Sequence, residues 1–236
     1  GENGMTNKKI EELFGQVPYF ADQIIEKAMP HQLQEDFVVK KTWYTYGSVN
    51  LLQVRGTLHP DYAGMTWREL LQNGRRMAGN LKLFRENPTY YTELQDRLPG
   101  MQFLFINGIG YVSEDGNHRT CIGKFFLAGK KSPFLHGVRF SEYILDMHIL
   151  KLFRSIQNKL ATLHLDHHCQ VTTEKKEICR DDGDGWASHH YEIQLRLTNG
   201  THTATFSSEQ ILNEVLPALH SPWLRRFGSY RHFFKK

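Results

Sequence analysis

The stretch that most restricts what this chain can fold into is MQFLFINGIGYVSEDGNHRTCIGKFFLA, residues 101–128. Phe103-Leu104-Phe105-Ile106 does not alternate apolar with polar residues, so it reads as a strand buried on both faces. Asn107-Gly108 tolerates the positive φ angles of a tight hairpin, and residues 111–113 supply the returning strand. A helix follows at once, because Thr120, Cys121, Ile122, Phe125, Phe126 and Ala128 keep an apolar stripe at helical spacing. A hairpin that runs straight into a helix calls for a sheet with helices laid on it.

The flanking sequence extends that pattern. In residues 7–29 the apolar positions recur at three- and four-residue spacing and predict two short helices divided by Pro18. Residues 37–44 and 49–54 are rich in β-branched and aromatic side chains and predict two strands broken at Gly47. Thr66 with Glu69 three positions on forms the reciprocal capping pattern, so a helix is expected over 67–77, with Arg68, Arg75 and Arg76 giving it a basic side. Asn87-Pro88 opens a further helix over 88–98, stopped by Pro99-Gly100. Residues 141–164 read as one long amphipathic helix. Beyond His168 the grammar becomes strand-like, with Asn199-Gly200 as a hairpin signal, then a helix over 208–219 and an aromatic, basic tail. The expected class is α/β (α+β), a mixed sheet with flanking helices. A domain over residues 5–140 carries a helical and β-rich extension over 141–236 packed on it.

Composition sets outer bounds. With 40% apolar and 12% aromatic residues the chain can bury a substantial core, and a formal charge of +4 tolerates a polyanionic partner without demanding one. Three cysteines do not suggest a disulfide framework and fit a reducing compartment. No run approaches the roughly 18 apolar residues of a membrane span, and the start lacks the order of a secretion signal, so a cytoplasmic protein with no membrane partner is expected. Gly1-Glu2-Asn3-Gly4 ahead of Met5 reads as an expression remnant.

The chemistry concentrates in Glu114-Asp115-Gly116-Asn117-His118-Arg119, between strand and helix. A helix N-terminus offers unpaired amides and a partial positive charge, and therefore holds an oxyanion. Gly116 allows close approach of the backbone. Asn117 can cap the helix, while His118 and Arg119 add donors, the arginine as a planar fork suited to phosphate. Glu114 and Asp115 could hold a divalent ion or orient a water. The plain alternative is a capped helix whose charged residues are solvated.

Asp115-Gly116-Asn117-His118-Arg119 resembles the Asp-Gly-X-His-Arg signature of the ParB/sulfiredoxin superfamily, with the resemblance covering roughly residues 37–128. It implies a ParB/sulfiredoxin-like fold and a nucleotide triphosphate, ATP or CTP, held by Gly116, Asn117, His118, Arg119 and Thr120, with a divalent metal such as magnesium possible. Members include partition proteins, sulfiredoxins, ParB-like nucleases and plasmid fertility-inhibition proteins of the Osa type, so DNA is an expected partner. Sulfiredoxins carry a catalytic cysteine where this chain has Asn117, which removes sulfinic acid reduction. After residue 141 no pair of short helices suggests the DNA reader of partition proteins. Two functions stay open: a nucleotidase or DNA nuclease using Glu114, Asp115, His118 and Arg119, or a nucleotide-gated DNA-binding or protein-interaction module without hydrolysis. A third is that the turn is vestigial and another surface does the work.

Other segments offer weaker signals. The histidines and cysteine of residues 164–169 are zinc-ligand types at irregular spacing, and a helix terminus whose histidines complement the dipole is the favoured reading over a zinc site. Asp181-Asp182-Gly183-Asp184-Gly185 resembles a calcium loop but lacks its downstream glutamate, and reads as a hairpin loop. The tail with Trp223, Arg225, Arg226, Phe227, Tyr230, Phe233 and Phe234 suits either a nucleic-acid track or an amphipathic cover on the sheet.

Overall fold

A computed structural model describes residues 4–93 and 100–236. The chain is a mixed α/β protein that divides into two compact units. The first takes in the described residues of Gly1–Met29, Thr42–Tyr143 and Asp182–Ala187, and the second Pro30–Lys41, Ile144–Asp181 and Ser188–Lys236.

In the first unit the chain runs α1 (Asn7–Phe14) and β1 (Glu26–Lys27). After α2 (His31–Phe37), which belongs to the second unit, come β2 (Val38–Asn50), a 3₁₀ turn at Leu51–Gln53 and β3 (Val54–Thr57). Next are α3 (Trp67–Asn73), α4 (Met77–Glu86), a 3₁₀ turn at Pro88–Tyr91, β4 (Gln102–Ile106), β5 (Ile109–Val112), α5 (Asn117–Ala128) and β6 (Phe134–Leu145). The strand order is β1-β3-β5-β4-β6-β2. β1 is parallel to β3, β3 to β5 and β4 to β6, while β4 and β5 form the antiparallel hairpin. At its tip Asn107 and Gly108 both take positive φ, 48° and 84°, the geometry that matches a two-residue turn to the twist of its strands. Thr66 caps α3 with the reciprocal bond to Glu69, as the sequence pattern predicts.

The core shows why α5 is central. Phe20 and Phe14 meet Phe125 at 5.2 and 5.6 Å between ring centroids, and Cys121, Ile122, Leu127 and Trp67 are buried around them. Arg68, on the basic side of α3, is committed to structure: it binds Asp22 at 2.7 Å, the carbonyl of Met5 and Asn7.

In the second unit α6 (Met147–Thr162) leads to a ribbon of β7 (Gln170–Gly183) and β8 (Trp186–Asn199), with β9 (His202–Phe206) antiparallel to β8. α7 (Ser208–Gln210), a π-helical turn at Ile211–Val215, α8 (Leu216–His220) and α9 (Pro222–Phe227) follow. Its core gathers Phe37, Ile149, Ile156, Leu160, Leu195, Ile211, Val215 and Leu219. The tail divides: Phe233 and Phe234 are buried, with their chain held by Asn199 Nδ2 on the carbonyls of Phe233 and Lys235, whereas Trp223 and Phe227 are exposed.

Several elements differ from the sequence expectation. Residues 15–29 form turns and the short β1, not a second helix, because Gly15 ends α1 in the left-handed region and Ile25 N donates to Met65 O. β2 runs through Gly47 unbroken, since a side chain there would collide with Phe140 at 2.3 Å and the glycine is what admits that ring. The expected helix over 67–77 ends at Asn73, and α4 begins at Met77. Residues 141–145 belong to β6, so the long helix starts at Met147 behind the Asp146 cap. Part of the helix expected over 88–98 lies outside the described residues. Among the described residues no helix is long and apolar enough to cross a membrane.

Candidate functional site

The site grows from the end of β5. Ser113 N donates to Gln102 O at 2.9 Å, folding the chain back on the start of β4, and the backbone then turns at Gly116 with φ 101°. A Cβ at that angle would be strained and would press on Met101 at 3.1 Å, so glycine is required. Asp115 Oδ1 accepts from Gly116 N at 2.7 Å and stabilises the turn. Gly116 is the N-cap and offers no side chain to α5. The first intrahelical bond is from Thr120 N to Gly116 O, so the amides of Asn117 and His118 have no intrahelical partner.

Asn117 is therefore not the cap; it is the first helical residue, and its side chain reaches sideways. Thr57 Oγ1 at the end of β3 donates to Asn117 Oδ1 at 2.7 Å and accepts from His59 N at 3.0 Å. His59 Nδ1 accepts in turn from Asp61 N at 3.2 Å. One buried hydroxyl thus fixes both the start of α5 and the loop after β3.

His118 is wedged against the α3–α4 connection. Its Nε2 accepts from Arg76 N at 3.3 Å, which leaves the proton of the neutral ring on Nδ1. The Tyr62 ring stands edge-on to it at 5.3 Å and stacks at a tilt on His59 at 4.6 Å. Burial, then the Arg76 charge, hold the His118 imidazole below its ordinary pKa against the opposing pull of Asp115. The accepting Nε2 and the lowered pKa both favour the neutral imidazole.

These groups border a cleft of about 410 Å³. Arg75 and Arg76 enter it from the α3–α4 connection, Glu114 and Asp115 from the turn before α5, and Asp61 from the loop after β3. Asn117 and His118 bring the amide end of the helix to the same space. Glu114 and Asp115 are exposed on the rim, and Gly116 is buried in the turn. Arg119 does not border this cleft: its guanidinium donates to Tyr90 Oη at 3.0 Å and lies 3.8 Å from Asp115 Oδ2, beside a separate apolar hollow containing Leu83, Phe84 and Tyr91. Thr120 is fully buried, its hydroxyl without a hydrogen bond among the described residues.

Sequence reasoning missed His59, Asp61, Tyr62 and Asn73, and placed Arg75 and Arg76 on a helix face when they lie in the connection between α3 and α4. Outside the Glu114–Arg119 segment, the two adjacent arginines after Gly74 carried the remaining sequence signal for the site. Gly74 has a structural purpose visible only in three dimensions, since a Cβ there would stand 2.6 Å from His118 Cδ2.

Among the described residues no group of three or more His, Cys, Asp or Glu side chains is arranged to hold a metal ion. Magnesium typically needs only one or two carboxylates when substrate phosphates complete its shell, and Glu114 with Asp61, which lines the same cleft, could supply those. Comparison with known proteins gives no relative: no family model, curated protein or solved structure matches this chain.

Proposed function

We propose that the cleft at the start of α5 binds a phosphate ester and that the protein is a phosphate-ester hydrolase of ParB/sulfiredoxin type, acting on a nucleotide such as ATP or CTP or on DNA. The observation that carries this reading is the convergence on one cleft of Arg75, Arg76, Asn117 and His118, the last two with amides that have no hydrogen-bond partner among the described residues. Arginine forks and helix amides are complementary to phosphoryl oxygens, and here they approach from two elements. Arg75 and Arg76 thus take the part that the Asp-Gly-X-His-Arg resemblance assigns to Arg119, while Arg119 braces Asp115 and Tyr90.

Asp61, Glu114 and Asp115 decide what accompanies the phosphate. A bare anion would meet three carboxylates, whereas a phosphoryl group with a divalent cation balances them. In this proposal the cation supplies charge neutralisation when bound. Glu114 orients the attacking water, and the His118 imidazole, neutral with its proton on Nδ1, can donate without adding positive charge.

One observation favours the alternative, a module that binds nucleotide without hydrolysing it. Asp115 is already engaged, by Gly116 N through Oδ1 and by Arg119 at Oδ2, so Glu114 and Asp61 are left as the acidic groups for chemistry.

The test is thermal denaturation with ATP and CTP, with and without magnesium, followed by assays of phosphate release and plasmid nicking. Nucleotide should raise the melting temperature of the native chain, and the R75Q/R76Q variant should lose that response, because a ligand at 100 times its Kd adds about 2.7 kcal/mol to stability. A shift without phosphate release or nicking selects the non-hydrolysing module. No shift with any nucleotide and no nicking rejects the phosphate site.

A further inference from the structure

A second cleft in the first unit, of about 550 Å³, has the residues of a different kind of binding site. Its floor is Lys124 of α5, whose side chain is 2% exposed, and its walls include the buried rings of Phe20 and Trp67. Lys124 Nζ lies 4.5 and 4.7 Å from the centroids of these rings. It donates to the carbonyl of Leu51 at 2.9 Å and to that of Val54 at 2.5 Å. An ammonium has three protons, so two carbonyls leave one N–H to the rings and the cleft.

What the site lacks is a counter-charge. Among the described residues no carboxylate forms an ion pair with Lys124. A buried charge is ordinarily paired, because desolvation without an opposite charge is costly. The neighbouring cation makes the imbalance worse: Arg55 on β3 lines the same cleft, forms no ion pair among the described residues and repels Lys124. Glu26 is at the exposed rim and does not reach the amine. Burial pushes the Lys124 amine down to about 7, with Arg55 adding to the shift and Cys121 on the same helix opposing it.

The mouth differs in character. Tyr19 and Ile24, 72% and 60% exposed, stand there as large apolar side chains with open faces. A ligand that answers both ends has one anionic group for Arg55 and Lys124 and a flat apolar body for Tyr19 and Ile24.

We propose that this cleft binds a small organic monocarboxylate with a planar apolar body, its carboxylate set between Lys124 and Arg55. The site is independent of the phosphate cleft, and its ligand supplies the negative charge that the fold leaves out beside Lys124. Bidentate contact with a guanidinium selects a carboxylate over a neutral amide of the same shape.

Calorimetric titration of the full chain with benzoate, and with benzamide as the uncharged isostere, tests this. Benzoate should bind saturably and benzamide at least about tenfold more weakly, the discrimination expected of a charge-assisted bond. R55Q, at an exposed position that leaves the core intact, should weaken benzoate about tenfold and leave benzamide unchanged. R76Q should leave benzoate binding as it is, which separates this cleft from the one at Gly116. At pH 8 benzoate binding should also take up a proton, seen as unequal heats in HEPES and Tris, because the ligand returns Lys124 to its charged form. Absence of saturable benzoate binding, equal binding of benzamide, or an unaltered affinity in R55Q each overturns the proposal.

Discussion

Replacing Gly74 by alanine isolates the contact that seats His118. The backbone at Gly74, φ −55° and ψ 133°, is open to any residue, so the substitution carries no conformational strain. Its effect must come from the added methyl, which would stand 2.6 Å from His118 Cδ2, 2.9 Å from Nε2 and 2.8 Å from Leu70 O. Reaching ordinary contact means moving the imidazole by nearly an ångström, which breaks the 3.3 Å bond from Arg76 N. Overpacking of this kind costs about 1–3 kcal/mol, the lost hydrogen bond about 1 kcal/mol more, and the reduced freedom of the unfolded chain returns about 0.4–1 kcal/mol. The expected destabilisation is about 2 kcal/mol, read as a lower urea midpoint at unchanged slope. In an H118A background the same substitution should cost clearly less, leaving the clash with Leu70 O. A G74A midpoint equal to that of the native chain, or an undiminished penalty in H118A, would refute the wedge.

N117A removes the 2.7 Å acceptor of Thr57 Oγ1, a hydroxyl on a residue 1% exposed that keeps only the Val112 carbonyl at 3.5 Å, and should cost about 1 kcal/mol in urea unfolding. His118 should respond to acid: its folded pKa lies below the unfolded one, so the unfolded chain holds more protons and the native chain loses stability relative to H118N as pH falls through 6.5. Lys124 should respond to base with the same sign of slope. With about 7 in the folded state against an ordinary 10.5, the unfolded amine holds more protons between those values, and the native chain should gain stability relative to K124M by up to about 1.4 kcal/mol per pH unit, measured by urea unfolding from pH 7 to 9. T66A should cost about 1 kcal/mol, since it removes the hydroxyl that accepts from Glu69 N at the start of α3, while the bond from the residue 66 amide to Glu69 remains.

The features legible in the sequence were those set by neighbours along the chain. The Asn107-Gly108 and Asn199-Gly200 hairpins, the Thr66 cap and the helix behind Gly116 each rest on residues a few positions apart. Residues 141–145, the end of β6, suit a helical stripe as well as a strand, and the pairing of Ser141, Glu142 and Tyr143 with β4 is what decides for the strand there. The site was half legible for the same reason. Glu114 to His118 lie in one continuous segment, but His59 and Asp61 come from the loop after β3 and Arg75 and Arg76 from the α3–α4 connection. The position of Arg119, turned from the cleft toward Tyr90, depends on a helical azimuth that a linear motif does not state.

His118 and Lys124 share one helix, six positions apart, so they project about 120° apart around its axis and about 9 Å apart along it. Each is keyed into a different neighbour, His118 to the amide of Arg76 and Lys124 to the carbonyls of Leu51 and Val54. α5 is in effect a shaft locked by two pins. An inserted residue between them would rotate one pin by about 100° out of its slot, so the length of this short segment is constrained to the single residue.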